Sequence, residues 1–139
     1  AELNTTELYK ILQLRSEVFV VEQDCVYQDI DDADFKAIHQ IMFKKDQLSA
    51  YARILPPGSY FEELSIGRIV TAFQVRRTGL GHQLMQEAID YCQAHFSEQP
   101  IKISAQQYLI KFYESHLFQT QGEGYLEDGI PHIAMIRKQ

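Results

Sequence analysis

Two glycines and two arginines stand directly before an apolar helix pattern, in the stretch RRTGLGHQLM at residues 76–85. Glycines are poor helix formers, but without a Cβ they let the backbone approach a ligand closely. The first N–H groups of a helix lack intrahelical partners, and the helix dipole favours negative charge there. Arg76 or Arg77 can add a charge-assisted contact. The stretch therefore predicts a site for a small anion such as a pyrophosphate.

The charge balance favours a small anionic ligand over a polyanion. The net charge is −6, and residues 22–34 contain six acids and no base, whereas Arg68, Arg76 and Arg77 lie mid-chain. Because nonspecific nucleic-acid binding relies on a basic face, we expect no nucleic-acid partner.

The remaining composition predicts a soluble, cytoplasmic protein without a membrane partner. No stretch approaches the ~20 apolar residues of a membrane span, and AELNTTELYK at the N-terminus has no secretory pattern. Cys25 and Cys92 lack metal-ligand spacing. We expect them to be free thiols in a reducing compartment, and we expect no metal site.

The elements that position the glycine stretch follow from apolar periodicity. Thr5 or Thr6 can cap a first helix that continues to Phe19, and a polar loop follows to about Phe35. Further helices are predicted over residues 80–96 and 108–118. Strands are predicted at 37–43, 48–55, 64–70 and 101–105, with two final strands around a turn at Asp128-Gly129.

This order predicts an α/β fold in which helices flank one mixed central β-sheet, as a single domain over residues 1–139. The strand-helix-strand segment from Leu64 to Ala105 should be parallel with a right-handed crossover.

The glycine stretch matches Arg-x-x-Gly-x-Gly at residues 76–81 and lacks the third glycine of a dinucleotide fingerprint and the ending of a P-loop. It resembles the coenzyme-binding signature of the GNAT superfamily of acetyl-CoA-dependent N-acetyltransferases. FYESHLF at 112–118 is similar to the family's FYxxxGF helix end, although Leu117 stands where glycine is usual. Residues 15–31 and 127–135 resemble the ElaA-like branch. The resemblance spans essentially the whole chain.

The resemblance implies a single GNAT-like domain that uses acetyl-CoA as cosubstrate. The glycine loop would bind the pyrophosphate, the end of the third strand would contact the pantetheine arm, and Gln106 stands where many relatives have a coenzyme-contacting Asn. The implied coenzyme-binding residues are Ile69, Val70, Thr71, Arg76, Arg77, Thr78, Gly79, Leu80, Gly81, His82 and Gln106. Ordinary core packing and an ordinary helix start are the alternatives for these positions.

Acetyl transfer to an amine also requires proton transfers. The resemblance implies that Tyr113 protonates the departing thiolate; an ordinary core aromatic is the alternative. An alkylamine with a pKa near 10.4 must lose a proton before it attacks. The third strand has no acid, so the candidates for the base lie elsewhere, at Glu22, Asp29, Asp31, His39 and His132. A histidine has a pKa suited to a base near neutrality, which favours His132 over the others, and a purely structural role is the alternative.

Other candidates for the acceptor side are acids and one further histidine. Glu22, Asp29 and Asp31 would attract a cationic acceptor or simply form solvated surface. His39 is a further candidate for the proton route.

Together these features predict an enzyme that transfers the acetyl group of acetyl-CoA to a primary amine of an unidentified acceptor, by direct attack in a ternary complex. A noncatalytic acyl-CoA-binding or sensing module is the alternative, and an interaction domain without coenzyme is a third reading. The sequence leaves a homodimer open.

Overall fold

The computed structural model describes residues 2–139, which form one six-stranded mixed sheet flanked by helices. The strands are β1 (Ile38–Lys44), β2 (Gln47–Leu55), β3 (Leu64–Thr71), β4 (Ile101–Gln106), β5 (Gln119–Glu127) and β6 (Ile130–Arg137). The helices are α1 (Thr5–Arg15), α2 (Leu80–His95) and α3 (Ile110–Glu114). The strand order is β1-β2-β3-β4-β6-β5, and β3 and β4 are the parallel pair. The predicted α/β architecture and the parallel segment are confirmed.

The parallel pairing between β3 and β4 ends near the start of the two strands. Register partners join β3 to β4 at Leu64 with Ile101 and at Ser65 with Lys102, after which the two strands separate. The rest of β3, to Thr71, pairs with β2 on its other side. Backbone N–H and C=O groups along the β4-facing side of β3 therefore need partners from outside the sheet.

The face of α2 that the sequence predicted to be apolar is buried. Its buried residues are Leu80, Leu84, Met85, Ala88, Ile89 and Cys92. These side chains pack in one core with β2, β3 and β4. The N-terminus of α2 is thereby fixed beside the carboxyl end of β3. No helix in residues 2–139 combines the length and apolar character that crossing a membrane requires.

The first helix begins one or two residues earlier than predicted, because its cap is Asn4 rather than Thr5 or Thr6. Asn4 Oδ1 accepts from the Glu7 N–H at 2.8 Å, and Glu7 Oε1 accepts from the Asn4 N–H at 3.0 Å. This reciprocal pair satisfies two N–H groups at once. The chain then continues as a π-helical segment, Ser16–Glu22, beyond the predicted end at Phe19.

The predicted helix over 108–118 is much shorter in the structure. It consists of a 3₁₀ turn, Gln107–Leu109, followed by α3. Leu117 has a φ of 68°, the left-handed conformation that glycine adopts freely. Leu117 thus adopts a conformation that favours glycine, and this turn directs Phe118 into the core, where it is 1% exposed.

The acidic segment, residues 22–34, is bound to the protein rather than forming a free acidic loop. Arg15 is fully buried and donates to Asp29 Oδ2 at 3.0 Å and to Asp34 Oδ1 at 2.8 Å. Arg53, also buried, donates to Asp31 at 2.6 Å and to Asp34 at 2.9 Å. Burying an unpaired guanidinium raises the free energy of the folded state. Arg15 and Arg53 therefore need these aspartates as partners.

Arg68 extends this pairing to the opening between β3 and β4. It lies at a bulge in β3 with a φ of 48°, and its Nε is 2.8 Å from Asp29 Oδ1. Asp31 Oδ2 lies 3.4 Å from Arg68 Nη2. The acidic segment is therefore attached to β3 at the level where the strands separate.

The arginines lower the pKa of two of these carboxyls. For Asp31 the largest cause is the hydrogen bond from Arg53, which burial opposes. For Asp34, burial alone would raise the pKa, but the hydrogen bond and charge of Arg15, together with Arg53, lower it. A depressed carboxyl pKa adds stability above the unfolded value near 3.9, and that stability is lost as the pH falls through the folded value.

We expect Asp34→Asn to reduce the free energy of unfolding at pH 7 by about 2 kcal/mol, because two buried arginines lose a shared anion. Wild type should lose stability as the pH falls below about 4, and the variant should lose less over that range. Urea unfolding from pH 7 to pH 3 measures both effects. Asp32→Asn, an exposed neighbour, is the matched control. Equal stability of the two variants at pH 7 would contradict a structural role for the pairs.

Candidate functional site

Two adjoining cavities occupy the opening between β3 and β4. The first, here called the loop groove, runs along the end of β3 to the start of α2 and is lined by Val70, Thr71, Arg76, Gly81 and Phe112 among others. The second, the hairpin cavity, lies between β3, β4 and the β5–β6 hairpin and includes Arg68, Ser104, Glu127 and His132. Residues that line both are Phe19, Gln23, Ile69, Gln106, Leu109 and Tyr113.

The start of α2 has free backbone donors at one end of the loop groove. Gly79 is in the left-handed conformation with a φ of 85°, and no side chain caps the helix. The first intrahelical bond across this turn runs from Gln83 N–H to Gly79 O at 3.1 Å. The N–H groups of Leu80, Gly81 and His82 precede it and have no intrahelical acceptor.

Gly81 keeps the loop groove wide. A Cβ on Gly81 would lie 3.7 Å from Phe112 Cε1 and 3.9 Å from Thr71 Cγ2, and both of these side chains line the groove. These are ordinary van der Waals distances. A side chain at this position therefore fits the free protein but occupies space between the groove walls.

Arg76 and Glu22 form a bidentate ion pair at the loop groove, with nitrogen–oxygen distances of 2.6 and 3.0 Å. Arg76 Nε also donates to Thr71 O at 3.3 Å. Arg76, a predicted coenzyme ligand, and Glu22, a predicted acceptor ligand, are therefore bound to each other in the free protein. Arg77 and Thr78 are exposed and line neither cavity.

His82 also lies outside both cavities. Its Nδ1 is 3.0 Å from His116 Nε2, and its ring packs against Phe112. Burial, followed by the nearby charges of His82 and Arg137, lowers the pKa of His116.

Gln106 and Tyr113 lie where the two cavities meet. Gln106 Oε1 is buried and has no hydrogen-bond partner. Tyr113 is 6% exposed and lines both cavities. Burial raises the pKa of Tyr113, so the phenol stays protonated. The two cavities thus share the unpartnered amide oxygen of Gln106 and the protonated phenol of Tyr113.

His132 sits beside Gln106 and faces a carboxylate in the hairpin cavity. Gln106 is opposite His132 in the β4–β6 pairing, and Tyr125 is opposite His132 on β5. His132 is 6% exposed. Its Nδ1 lies 2.7 Å from Ile130 O and its Nε2 lies 3.3 Å from Glu127 Oε2.

Glu127 was missed by the sequence analysis, although a signal was present. Side chains alternate along a hairpin, so the predicted turn at Asp128-Gly129 places Tyr125 opposite His132 and Glu127 diagonally from it on the same face. Glu127 Oε1 accepts from Tyr60 Oη at 3.2 Å. Burial and then the charge of Glu127 raise the pKa of Tyr60 to about 12, so this phenol remains a donor.

Three other candidates from the sequence lie elsewhere. Asp29 and Asp31 are engaged by arginines, and neither lines a cavity. His39 has its Nδ1 2.5 Å from Tyr51 Oη and its Nε2 3.0 Å from Asp34 O, so both ring nitrogens have partners. Across residues 2–139 no group of three or more His, Cys, Asp and Glu side chains is placed to hold a metal ion.

Comparison with known proteins finds relatives that match nearly the whole chain. The crystal structure of Escherichia coli ElaA is 43% identical, covers 99% of this chain and 93% of its own, and superposes with a TM-score of 0.93. An acyl-CoA N-acyltransferase from Pseudomonas aeruginosa is 42% identical, with coverages of 98% and 93% and a TM-score of 0.91. The UPF0039 protein C11D3.02c of Schizosaccharomyces pombe is 38% identical over 96% of this chain and 89% of its own.

The family model of the acetyltransferase (GNAT) domain matches residues 6–138. With this match and these relatives, the chain belongs to the GNAT acetyltransferase family.

Proposed function

We propose that the protein transfers the acetyl group of acetyl-CoA to a primary amine by direct attack in a ternary complex. The observation that carries the proposal is the meeting of two cavities at Gln106 and Tyr113. One cavity ends at an uncapped helix start, and the other holds a histidine and a carboxylate. A donor and an acceptor substrate can therefore approach one point from different sides. Membership of the GNAT family and the similar N-acyltransferase from Pseudomonas aeruginosa support the same reaction.

The loop groove offers each part of coenzyme A a complementary partner. The N–H groups of Leu80, Gly81 and His82 suit the pyrophosphate, because a helix start favours negative charge. At Ile69 and Val70 the edge of β3 that faces β4 has no strand partner, and this edge suits the pantetheine amides. The orphaned Oε1 of Gln106 can accept an amide N–H of the same arm. Arg76 would exchange Glu22 for a phosphate oxygen, since one guanidinium fork binds either anion bidentately.

Tyr113 is proposed as the general acid. Tyr113 lines both cavities at the junction where the thioester would lie, and its hydroxyl is protonated. As the C–S bond breaks, the hydroxyl can give its proton to the thiolate sulfur and later recover one from the new amide nitrogen.

His132 is proposed as the base that takes a proton from the entering ammonium. It lies opposite Gln106 across the β4–β6 pairing, so a neutral amine would form next to the thioester. Attack then forms the C–N bond as the C–S bond breaks. The products are the N-acetyl amine, coenzyme A and one released proton.

The state of the cysteines supports a reducing, cytoplasmic location, which we also propose. Cys25 and Cys92 are both free and buried, and burial raises the pKa of Cys92 to about 12.

We expect Gly81→Ala and Gly81→Val to weaken binding of coenzyme A progressively, by about 10-fold or more for Val. The added groups would enter the groove between Phe112 and Thr71. Calorimetric titration with coenzyme A measures the effect, and thermal unfolding without ligand serves as the control because the free protein accommodates the Cβ. Wild-type affinity in both variants would remove this loop from the coenzyme site.

We expect Tyr113→Phe to reduce kcat by about 10- to 300-fold with a nearly constant KM for acetyl-CoA. The hydroxyl acts as the thiolate departs, and a thiol with a pKa near 8.5 is already a fair leaving group, so the effect stays below that of a strong general acid. Release of free thiol from acetyl-CoA in the presence of phenethylamine provides the assay. The noncatalytic alternative predicts coenzyme binding without thiol release by wild type, and a wild-type kcat in the variant would make Tyr113 a core residue only.

A further inference from the structure

We propose that Glu127 binds the acceptor as an aliphatic ammonium ion and that His132 Nε2 removes its proton. The acceptor class is then a primary aliphatic amine that is charged in solution, rather than an arylamine or an alcohol. This inference rests on the proposed function and adds the acceptor class and the residue that recognises it.

A backbone carbonyl in the β5–β6 hairpin determines the tautomer of His132. Ile130 O, a carbonyl that can only accept, lies 2.7 Å from Nδ1, so Nδ1 must carry a hydrogen. A neutral imidazole has one N–H, and the lone pair is therefore on Nε2. This nitrogen faces the hairpin cavity beside Glu127.

Two hydrogen-bond acceptors then face each other across a short distance. The lone pair of His132 Nε2 and the carboxylate oxygen Glu127 Oε2 are 3.3 Å apart. The arrangement is favourable only when a proton or an external donor joins the two groups. A primary ammonium carries three donors and a positive charge, so it can satisfy both acceptors at once.

Two carboxylates line the hairpin cavity, Glu127 and the exposed Asp128, and Glu127 is the one that lies beside His132. Asp29, Asp31 and Asp34 are each held by arginines. Among residues 2–139, the ionic partner of Glu127 is His132, which is charged only when protonated. When His132 is neutral, a cation that enters the hairpin cavity therefore finds Glu127 without a positively charged partner.

Neighbouring hydroxyls orient Glu127 for this task. Tyr60 donates to Oε1 at 3.2 Å, and Ser104 Oγ lies 3.5 Å from the same oxygen. Ser104 is also hydrogen-bonded to Tyr125, whose ring stacks on His132. These contacts hold one carboxylate oxygen and direct the other, Oε2, toward the histidine.

The proton transfer balances without a further reagent. The ammonium gives one proton to Nε2, which leaves a neutral amine and an imidazolium next to the Glu127 carboxylate. The amine nitrogen attacks the thioester carbon, and the imidazolium later releases its proton to solvent. Glu127 stabilises the imidazolium electrostatically and stays ionised throughout.

A matched pair of substitutions tests the recognition of charge. Glu127→Gln keeps the shape and the hydrogen bond from Tyr60 but removes the charge, and Glu123→Gln makes the same change at an exposed position of β5. With phenethylamine as acceptor, Glu127→Gln should raise the acceptor KM about 10- to 100-fold, because a charge-assisted contact is lost. The KM for acetyl-CoA should not change, and Glu123→Gln should behave as wild type.

Aniline, which is uncharged at neutral pH, provides the second arm. Its turnover should change little in Glu127→Gln, so the preference for phenethylamine over aniline should fall. Equal loss for both amines, or a wild-type KM for phenethylamine in the variant, would overturn the recognition of charge.

Ring ¹⁵N shifts of His132 test the inference without turnover. We expect the Nδ1–H tautomer in the neutral ring, and a shift of Nε2 when phenethylammonium is added to the coenzyme A complex of wild type but not of Glu127→Gln. An Nε2–H tautomer, or no response in wild type, would overturn the inference. Failure of the proposed function is separate: it would appear as an absence of coenzyme A binding or of thiol release.

Discussion

The early separation of β3 from β4 is the constraint on which the rest of the structure depends. After Leu64 and Ser65 the parallel pairing ends, and the next residues of β3 present unpaired backbone to an opening. A continuous pairing would close both the loop groove and the hairpin cavity. The buried face of α2 keeps its N-terminus beside the end of β3, so the free helix donors and the free strand edge belong to one groove.

The acidic segment supports that opening from the other side. Arg68 leaves β3 at a bulge and is held by Asp29, whose second oxygen is bound by the fully buried Arg15. The segment therefore connects α1 to the point where the strands separate. Asp29, Asp31 and Asp34 of this segment are held by arginines, whereas Glu127 in the hairpin cavity has His132 as its ionic partner. The arginine pairs give these three aspartates a structural role, and Glu127 is the acid that we propose for the ligand.

Local patterns predicted the strands, the parallel segment and the buried face of α2 because periodicity records which side of an element meets the core. They failed where a tertiary contact decides the outcome. The helix predicted at 108–118 ends early because Leu117 takes a left-handed conformation, which its side chain does not indicate. The acidic segment has the composition of a solvated loop. Its own residues do not indicate that Arg15, which lies on an otherwise apolar helix face, is buried beneath it. The predicted turn at Asp128-Gly129 fixes the register of the hairpin. Counting back from that turn along both strands places Glu127 diagonally from His132.

A crystal structure with coenzyme A bound tests the central claim most directly, because the account assigns both cavities to one reaction. It predicts the pyrophosphate at the N–H groups of Leu80–His82, the pantetheine arm between Ile69–Thr71 and Gln106, and the thiol at Tyr113, with the hairpin cavity left open to a second substrate. Coenzyme A lying in the hairpin cavity, or along a surface remote from the unpaired edge of β3, would contradict the account.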